Sequence, residues 1–516
     1  MYYFWPAMKK IFSILKFCWE EKPLTFVLWL AVAARLIAII FAKGWGMLDD
    51  HFLVVEVAQS WADGGDVSEW LPWTAGNEGP TGHSFFYAGL HYLFFSMLNF
   101  IGLENPQSRM FLVRLIHGAF SLITVYLGYK IAEKLSDKKT ARVTGLLLAV
   151  LWFMPWFSVR NLVEVVATPF LMIGTWMILK DDEKSKLLKT FLLAGFIVGL
   201  AFSVRFQTII YGGGIGLALL FQKKFREGIM FGVGYFAAVI LIQGGIDFFV
   251  WHQPFAELTE YVRYNLDNAY NYITGGWYNY LLLLLGVLIP PVSIFLLIGF
   301  FVNWRRHLLV FLPTFLFLAF HSYFPNKQER FIFTIVPFMI ILGIVGWNFI
   351  TDKWIFWKNH SRINAGIWIF FWILNLILLV PVTTMYSKRA RVEAMTYLSR
   401  YENISSIIIE NTNETGVDIV PKFYSGQWPT VFEVTKSKPA GLLPDFSSDP
   451  NLEPRFVLFY RDDNLEARVD SLKKIIPGLI SETVALPSFV DRVMHWLNPY
   501  NKNETIYIYK NTKFFR

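Results

Sequence analysis

From Leu24 to about Tyr386 the chain alternates apolar runs with short polar loops. Most runs approach or exceed the length that crosses roughly 30 Å of hydrocarbon as a helix. Spans are expected at about 24–42, 110–133, 142–157, 161–180, 188–204, 206–222, 229–250, 278–302, 307–323, 331–350 and 364–386, eleven in all. The apolar run His83 to Ile101 is interrupted by His83, His91 and Asn99, so it is expected to lie on or dip into the outer face without crossing. After Tyr386 the pattern changes. Ser406 to Glu410, Arg455 to Tyr460 and Thr505 to Tyr509 read as strands, and Glu393 to Tyr401 and Asn464 to Ile476 as helices. The predicted fold is a polytopic α-helical membrane protein with a small C-terminal α/β domain. Its expected divisions are 1–23, 24–386 and 387–516.

Charge orients these elements. Met1 to Lys22 carries Lys9, Lys10, Lys16 and Lys22 among aromatic residues and is expected to lie on the cytoplasmic surface as an interfacial helix. The loops Lys130 to Arg142, Lys180 to Lys189, Lys223 to Arg226, Arg305 with Arg306, and Lys353 to Arg362 are all basic, and eleven spans place all of them inside. The same parity puts Asp49–Asp50, Arg160–Glu164, Arg205, Asp247–Trp277, His321–Arg330 and the C-terminal domain outside. Ala31-Val32-Ala33 resembles a signal-peptidase site, but further spans follow, so an uncleaved anchor is expected.

The composition agrees, with 55% hydrophobic residues and 18% aromatic ones. A net charge of +8 would point to nucleic acid in a soluble protein, yet the basic residues sit in short loops between apolar runs, where they serve orientation. Cys18 is the single cysteine, which excludes an internal disulfide and a cysteine metal cluster. His83, His91 and His321 lack ligand spacing, and no metal is expected.

Three constellations can carry chemistry. Asp49 and Asp50 directly follow the first span, and Glu56 lies seven residues on, sharing a face with Asp49 if a helix continues. Two carboxylates at a membrane edge are costly to keep, and one of them suits a general base on an acceptor hydroxyl. An Asp N-cap of a surface helix is the plainer reading. In Pro325-Asn326-Lys327-Gln328-Glu329-Arg330-Phe331, a helical start would put Lys327 and Arg330 on one face, suited to a phosphate diester. Arg160 and Glu164 stand four apart at the mouth of a span, as a site or a structural ion pair, and Arg205, unpaired in its local sequence, favours an anion.

These stretches resemble the signatures of the dolichyl-phosphate-mannose-dependent mannosyltransferases of glycosyltransferase family twenty-two, which have a GT-C fold. Leu48-Asp49-Asp50-His51-Phe52 with Glu56-Val57-Ala58 resembles P-D-E-x-F…E-x-A, and Asn326 to Phe331 resembles H-K-E-x-R-F. Arg160 to Glu164 is similar to R-T-x-S-N-x-x-E, Gly199 to Arg205 to G-L-x-F-x-x-R-P, and Gly276 to Tyr280 to H-P-W-H-W-Y. All five come in the family's order, over residues 24–350. Asn326 stands where the family has His, Gln328 where it has Glu, and Asp50 where it has Glu.

The resemblance implies an inverting, metal-independent glycosyltransferase that moves a hexose, foremost mannose, from a polyprenyl-phosphate sugar to a glycan or lipid acceptor on the outer face. Asp49 would be the base, supported by Asp50. Glu56, Arg160 and Glu164 would orient the acceptor, and Lys327, Arg330 and Arg205 would hold the donor phosphate. The alternatives are a GT-C transferase for lipid A or protein using another prenyl-linked sugar, and a lipid or glycan transporter. Lean loops favour a bacterial inner membrane with the site facing the periplasm. Sequons at Asn403, Asn413 and Asn503 would face the lumen of the endoplasmic reticulum in a eukaryote.

Overall fold

The computed structural model describes residues 13, 16–180, 188–417, 419–446, 449, 452–499 and 501–515. Residues 1–12 of the expected interfacial helix and most of the basic loop between Lys180 and Lys189 lie outside the described residues. Six described helices are long and apolar enough to cross a membrane: Pro23–Phe41, Pro106–Leu135, Val163–Lys180, Phe225–Trp251, Glu329–Lys353 and Ser361–Thr383. Leu188–Val204, Phe206–Phe221, Val292–Phe301 and Leu308–Tyr323 are shorter apolar helices. Nine of the eleven expected spans coincide with these. The protein is thus an integral membrane protein, and residues 83–101 contribute the helix Phe85–Phe100.

The expected span 142–157 is broken, and the break explains a buried arginine. Lys138–Val150 ends at Leu151, and a second short helix, Met154–Ser158, starts with Pro155 in its first turn, where a missing N–H does no harm. The last carbonyls of a helix have no partner within it. Arg35, buried in the first span, donates to the carbonyls of Ala149 at 3.1 Å and Leu148 at 3.4 Å, and to Ser121 Oγ at 2.8 Å. Asn375 closes the gap from the last span, donating to Val150 O and accepting from Trp152 N–H, both at 2.8 Å. Irregular backbone at membrane depth is tolerated when neighbouring helices supply hydrogen bonds in this way. The expected span 278–302 is likewise split, into Asn279–Val287 and Val292–Phe301, by Pro290 and Pro291.

The chain forms two compact units, the first comprising Met1–Ile39, Glu69–Tyr87 and Arg114–Thr383 and the second Ile40–Ser68, Ala88–Val113 and Thr384–Arg516. In the first, glycines let helices touch backbone to backbone. A Cβ at Gly195 would overlap Phe231 O, and one at Gly234 would overlap Leu192 O, so Leu188–Val204 and Phe225–Ala238 lie in close contact. Gly299 and Gly346 do the same for Val292–Phe301 and Val336–Lys353.

In the second unit, residues 40–68 and 88–113 share one core with the C-terminal part: Trp45, Val55, Phe95 and Met110 pack with Met395, Ile407, Phe423 and Phe456. Its sheet comprises β1 (Ser406–Asn411), β2 (Thr430–Thr435), β3 (Phe456–Tyr460), β4 (Leu479–Ala485) and β5 (Ile506–Asn511), in the order β2-β1-β3-β5-β4. β1 is parallel to β2 and β3, and β5 is antiparallel to β3 and β4. The expected strands are β1, β3 and β5, the central ones and the most apolar. The unforeseen β2 and β4 are edge strands with partly exposed residues, where the apolar signal is diluted. Arg468 secures the sheet from the helix Leu465–Lys473, donating to Glu410 Oε2 at 2.7 Å and Tyr460 O at 2.8 Å.

Candidate functional site

In the second unit, the acidic stretch opens a helix. Met47 is extended and Leu48–Asp50 forms the first turn, so Asp49 and Asp50 are not N-caps but lie in the first turn, where the helix dipole favours carboxylates. Asp49 is partly exposed and Asp50 is buried. The helix then widens into a π-helix over His51–Glu56 before narrowing again at Val57–Ala62, so the shared face expected of Asp49 and Glu56 in a regular helix does not apply. Glu56 turns to the C-terminal part, accepting the Phe423 N–H at 3.0 Å, with His51 Nε2 at 3.6 Å. His51 is fully buried between two parallel rings, Trp45 at 5.2 Å and Tyr424 at 5.6 Å. At the end of this helix, Asp63 accepts from Gln59, Asn99 and Trp428 at 2.8, 2.9 and 3.0 Å. The catalytic stretch expected from the sequence thus stands on a floor made by the C-terminal domain, a role for that domain that the sequence leaves open.

In the first unit, Glu164 lies in the first turn of Val163–Lys180. Its Oε1 is 2.8 Å from Arg205 Nη1 and 3.7 Å from Arg330 Nε. Arg205 has no partner in its local sequence, and the carboxylate beside it comes from another helix. The four-residue spacing of Arg160 and Glu164 also has another meaning. Arg160 precedes the helix start at Val163, so the two do not share a helical face, and its guanidinium lies 4.6 Å from the Trp156 ring. Arg205 occupies the turn between Leu188–Val204 and Phe206–Thr208, and Arg330 the 3-10 turn Glu329–Ile335, where its Nε also donates to Gln328 Oε1 at 3.0 Å. Phe331 offers its ring to both guanidiniums, at 5.2 and 5.9 Å.

Lys327 departs from expectation. It lies before the 3-10 turn and does not share a helical face with Arg330. Its Nζ donates to the carbonyls of His321 and Ser322, each at 2.8 Å, and of Phe324, closing the C-terminal end of Leu308–Tyr323. All three ammonium protons are occupied, so Lys327 offers an anion its charge and no free hydrogen bond. Burial pushes its pKa down. Its loop is held by the Lys327 N–H to Ile273 O at 2.9 Å and by Tyr280 Oη to Gln328 O at 3.1 Å.

Beside Glu164, Arg205 Nε and Nη2 are buried without a hydrogen-bond partner. So are His321 Nε2 and Asn326 Oδ1 on the neighbouring loop and helix end. The unspent donors are those of Arg205, which suit an anion with several acceptor oxygens, whereas Asn326 Oδ1 can only accept.

Another cluster in this unit was not anticipated. Asp247 and Glu257 are fully buried, and Gln243 Nε2 donates to both at 2.8 Å. Glu257 also accepts from the Phe85 N–H at 3.0 Å and Trp251 Nε1 at 3.2 Å, and its own N–H donates to Asp247 at 3.2 Å. Burial, with Asp247 beside it, pushes Glu257 up to about 9. The signal available was a lone Asp inside an apolar run, followed ten residues later by Glu257.

No curated protein sequence matches the chain. Among solved structures it is similar to ArnT from Cupriavidus metallidurans bound to undecaprenyl phosphate, at 11% identity and a TM-score of 0.58, covering 94% of this chain and 97% of that one. The apo state of the same protein gives 12% and 0.57 over the same shares. The apo oligosaccharyltransferase of Archaeoglobus fulgidus gives 12% and 0.51 over 88% of this chain and 71% of that one. These likenesses establish a GT-C-like fold. A family model for Alg9-like mannosyltransferases matches residues 26–430, from the first span into the C-terminal sheet and across all five signature stretches. The chain therefore belongs to the Alg9-like mannosyltransferase family and is a glycosyltransferase.

Proposed function

We propose that the protein transfers mannose, or another hexose, with inversion from a polyprenyl-phosphate sugar to a glycan or lipid acceptor on the extracytoplasmic face of a bacterial inner membrane. Asp49 takes the proton of the acceptor hydroxyl as that oxygen bonds to the anomeric carbon. The bond from that carbon to the phosphate oxygen breaks, its electron pair leaves with the polyprenyl phosphate, and the anomeric configuration inverts. Asp50 shares the first helical turn with Asp49 and supports its placement. Glu56 acts one step further away, fixing the π-turn to the Phe423 backbone.

The observation that carries this reading is the Arg205–Glu164–Arg330 cluster, where the unspent donors of Arg205 suit the oxygens of the departing phosphate as it gains one negative charge. Glu164 and Arg160, read from the sequence as acceptor-orienting, are reassigned in part: Glu164 holds the arginines, and Arg160 keeps the acceptor role. Lys327 adds field strength. The undecaprenyl phosphate named for the ArnT structure supports a lipid phosphate as the leaving group.

The test is turnover by purified protein offered polyprenyl-phosphate mannose and a panel of other prenyl-linked sugars. Asp49→Asn is expected to abolish transfer while expression and thermal melting stay unchanged. Retained turnover removes Asp49 as the base, and consumption of a different sugar replaces mannose. Glycosidase-sensitive mobility of native material would move the protein to the endoplasmic reticulum.

A further inference from the structure

The helix Phe489–Leu497 in the second unit carries its apolar side outward. Phe489, Trp496 and Leu497 are 71%, 79% and 64% exposed, and the patch continues through Met494, Leu486 and Val484. Its polar side faces inward. Asp491 is buried, closes a capping box with Ser488, and accepts the backbone N–H groups of Lys388 and Arg389 at 2.9 and 3.0 Å. His495 Nδ1 lies 2.9 Å from Asn501 O. A helix on a soluble domain buries its apolar arc and shows water the polar one. Here the arrangement is reversed, and the reversal is fixed by bonds on the polar side.

Two observations name the occupant. Lys388 follows the last apolar span, Ser361–Thr383, by five residues, so chain connectivity alone keeps this helix's capped end within roughly 18 Å of the end of that span. Arg389 and Arg492 are exposed, giving the helix and its anchoring segment cations for anionic headgroups. A short helix with Trp, Phe and Leu on one side and Arg beside them has the composition of an element lying in the membrane interface.

We propose that Phe489–Leu497 lies flat on the lipid surface from which the last span emerges, with Phe489, Trp496 and Leu497 in the boundary between headgroups and acyl chains. The C-terminal domain, which braces the Asp49 helix through Phe423, thereby rests on the bilayer at a second point besides its covalent tether.

The test uses the full chain with Cys18→Ser as background. Trp496→Cys and, as reference, Asp470→Cys on the exposed face of Leu465–Lys473 are labelled with bimane. Each is placed, one chain per disc, in nanodiscs of phosphatidylethanolamine and phosphatidylglycerol containing lipid spin-labelled near the headgroup. The label at 496 is expected to be quenched by the spin-labelled lipid at least about twofold more than that at 470, and less by aqueous iodide. Equal lipid quenching at the two sites overturns the proposal. So does protection from iodide that appears only with two chains per disc, which would make a second copy the occupant. Because the readout is position and not turnover, its failure would leave the proposed transfer reaction untouched.

Discussion

Two buried charged clusters in the first unit make opposite use of a carboxylate. Glu164 stands between two guanidiniums, and beside it Arg205 Nε and Nη2 have no hydrogen-bond partner. Glu257 stands beside another carboxyl group, and among the described residues no cation pairs with either. Its partners are an amide, an indole and a backbone N–H, and the pair relieves its repulsion by holding a proton. A buried acid beside a guanidinium with unspent donors makes an anion receptor, while a buried acid next to another acid makes a fastening. Gln243, Asp247 and Glu257 tie the start of Phe85–Phe100 to the end of Phe225–Trp251, and nothing in that arrangement presents free charge to a substrate.

The contrast is broken most severely at Arg205. Arg205→Gln removes the guanidinium with unspent donors and is expected to lower kcat/KM by about a thousandfold, the scale of losing a preorganised donor to a developing anion. Arg205→Lys should recover little of it, because a point charge does not reproduce the planar fork. Initial rates with the prenyl-linked donor measure both, and near-normal turnover of either variant would remove the anion receptor.

Glu257 is expected to act on stability and not on chemistry. Its folded pKa of about 9 lies above the ordinary 4.5, so the folded state binds the proton more tightly than the unfolded one. The stability it contributes is present below the ordinary value and is lost as pH rises from about 4.5 to about 9. Thermal melting in detergent or nanodiscs should fall across that window. Glu257→Gln, which mimics the protonated acid, should flatten the slope while sparing activity, and an unchanged slope would place the proton elsewhere.

Lys327 should give the smallest effect. Its protons are spent on helix carbonyls, so Lys327→Met is expected to lower turnover by only about tenfold, with a loss of roughly 1–3 kcal/mol of stability from the exposed helix end. A loss as large as that of Arg205→Gln would mean that the ammonium leaves its carbonyls for the donor.

The candidate site was readable in part. Asp49 and Asp50 stood out because consecutive carboxylates after an apolar run are anomalous whatever the fold, Arg330 because its three-residue spacing from Lys327 suited a phosphate, and Arg205 because it had no partner in its local sequence. Their partners were hidden. Glu164 carried the spacing of a local pair with Arg160, but the helix begins only at Val163 and the carboxylate meets arginines from two other elements. Glu56 kept a seven-residue spacing from Asp49, but a π-turn intervenes. Lys327 looked like a ligand because a sequence shows that a charge is present and not whether its hydrogens are already engaged. The helix Phe489–Leu497 escaped notice because its apolar positions read like ordinary core.

Sequence alone determined the membrane character, the order of the apolar segments, the α/β character of the C-terminal part and the family, since apolar length, turn residues and signature spacing are local properties of a chain. Tertiary structure decided which charges meet, which span is broken and closed by Arg35 and Asn375, and that the C-terminal domain forms the floor beneath Asp49. Ion pairing, hydrogen bonding and burial depend on distances in space, and residues far apart in the chain set those distances only when it folds.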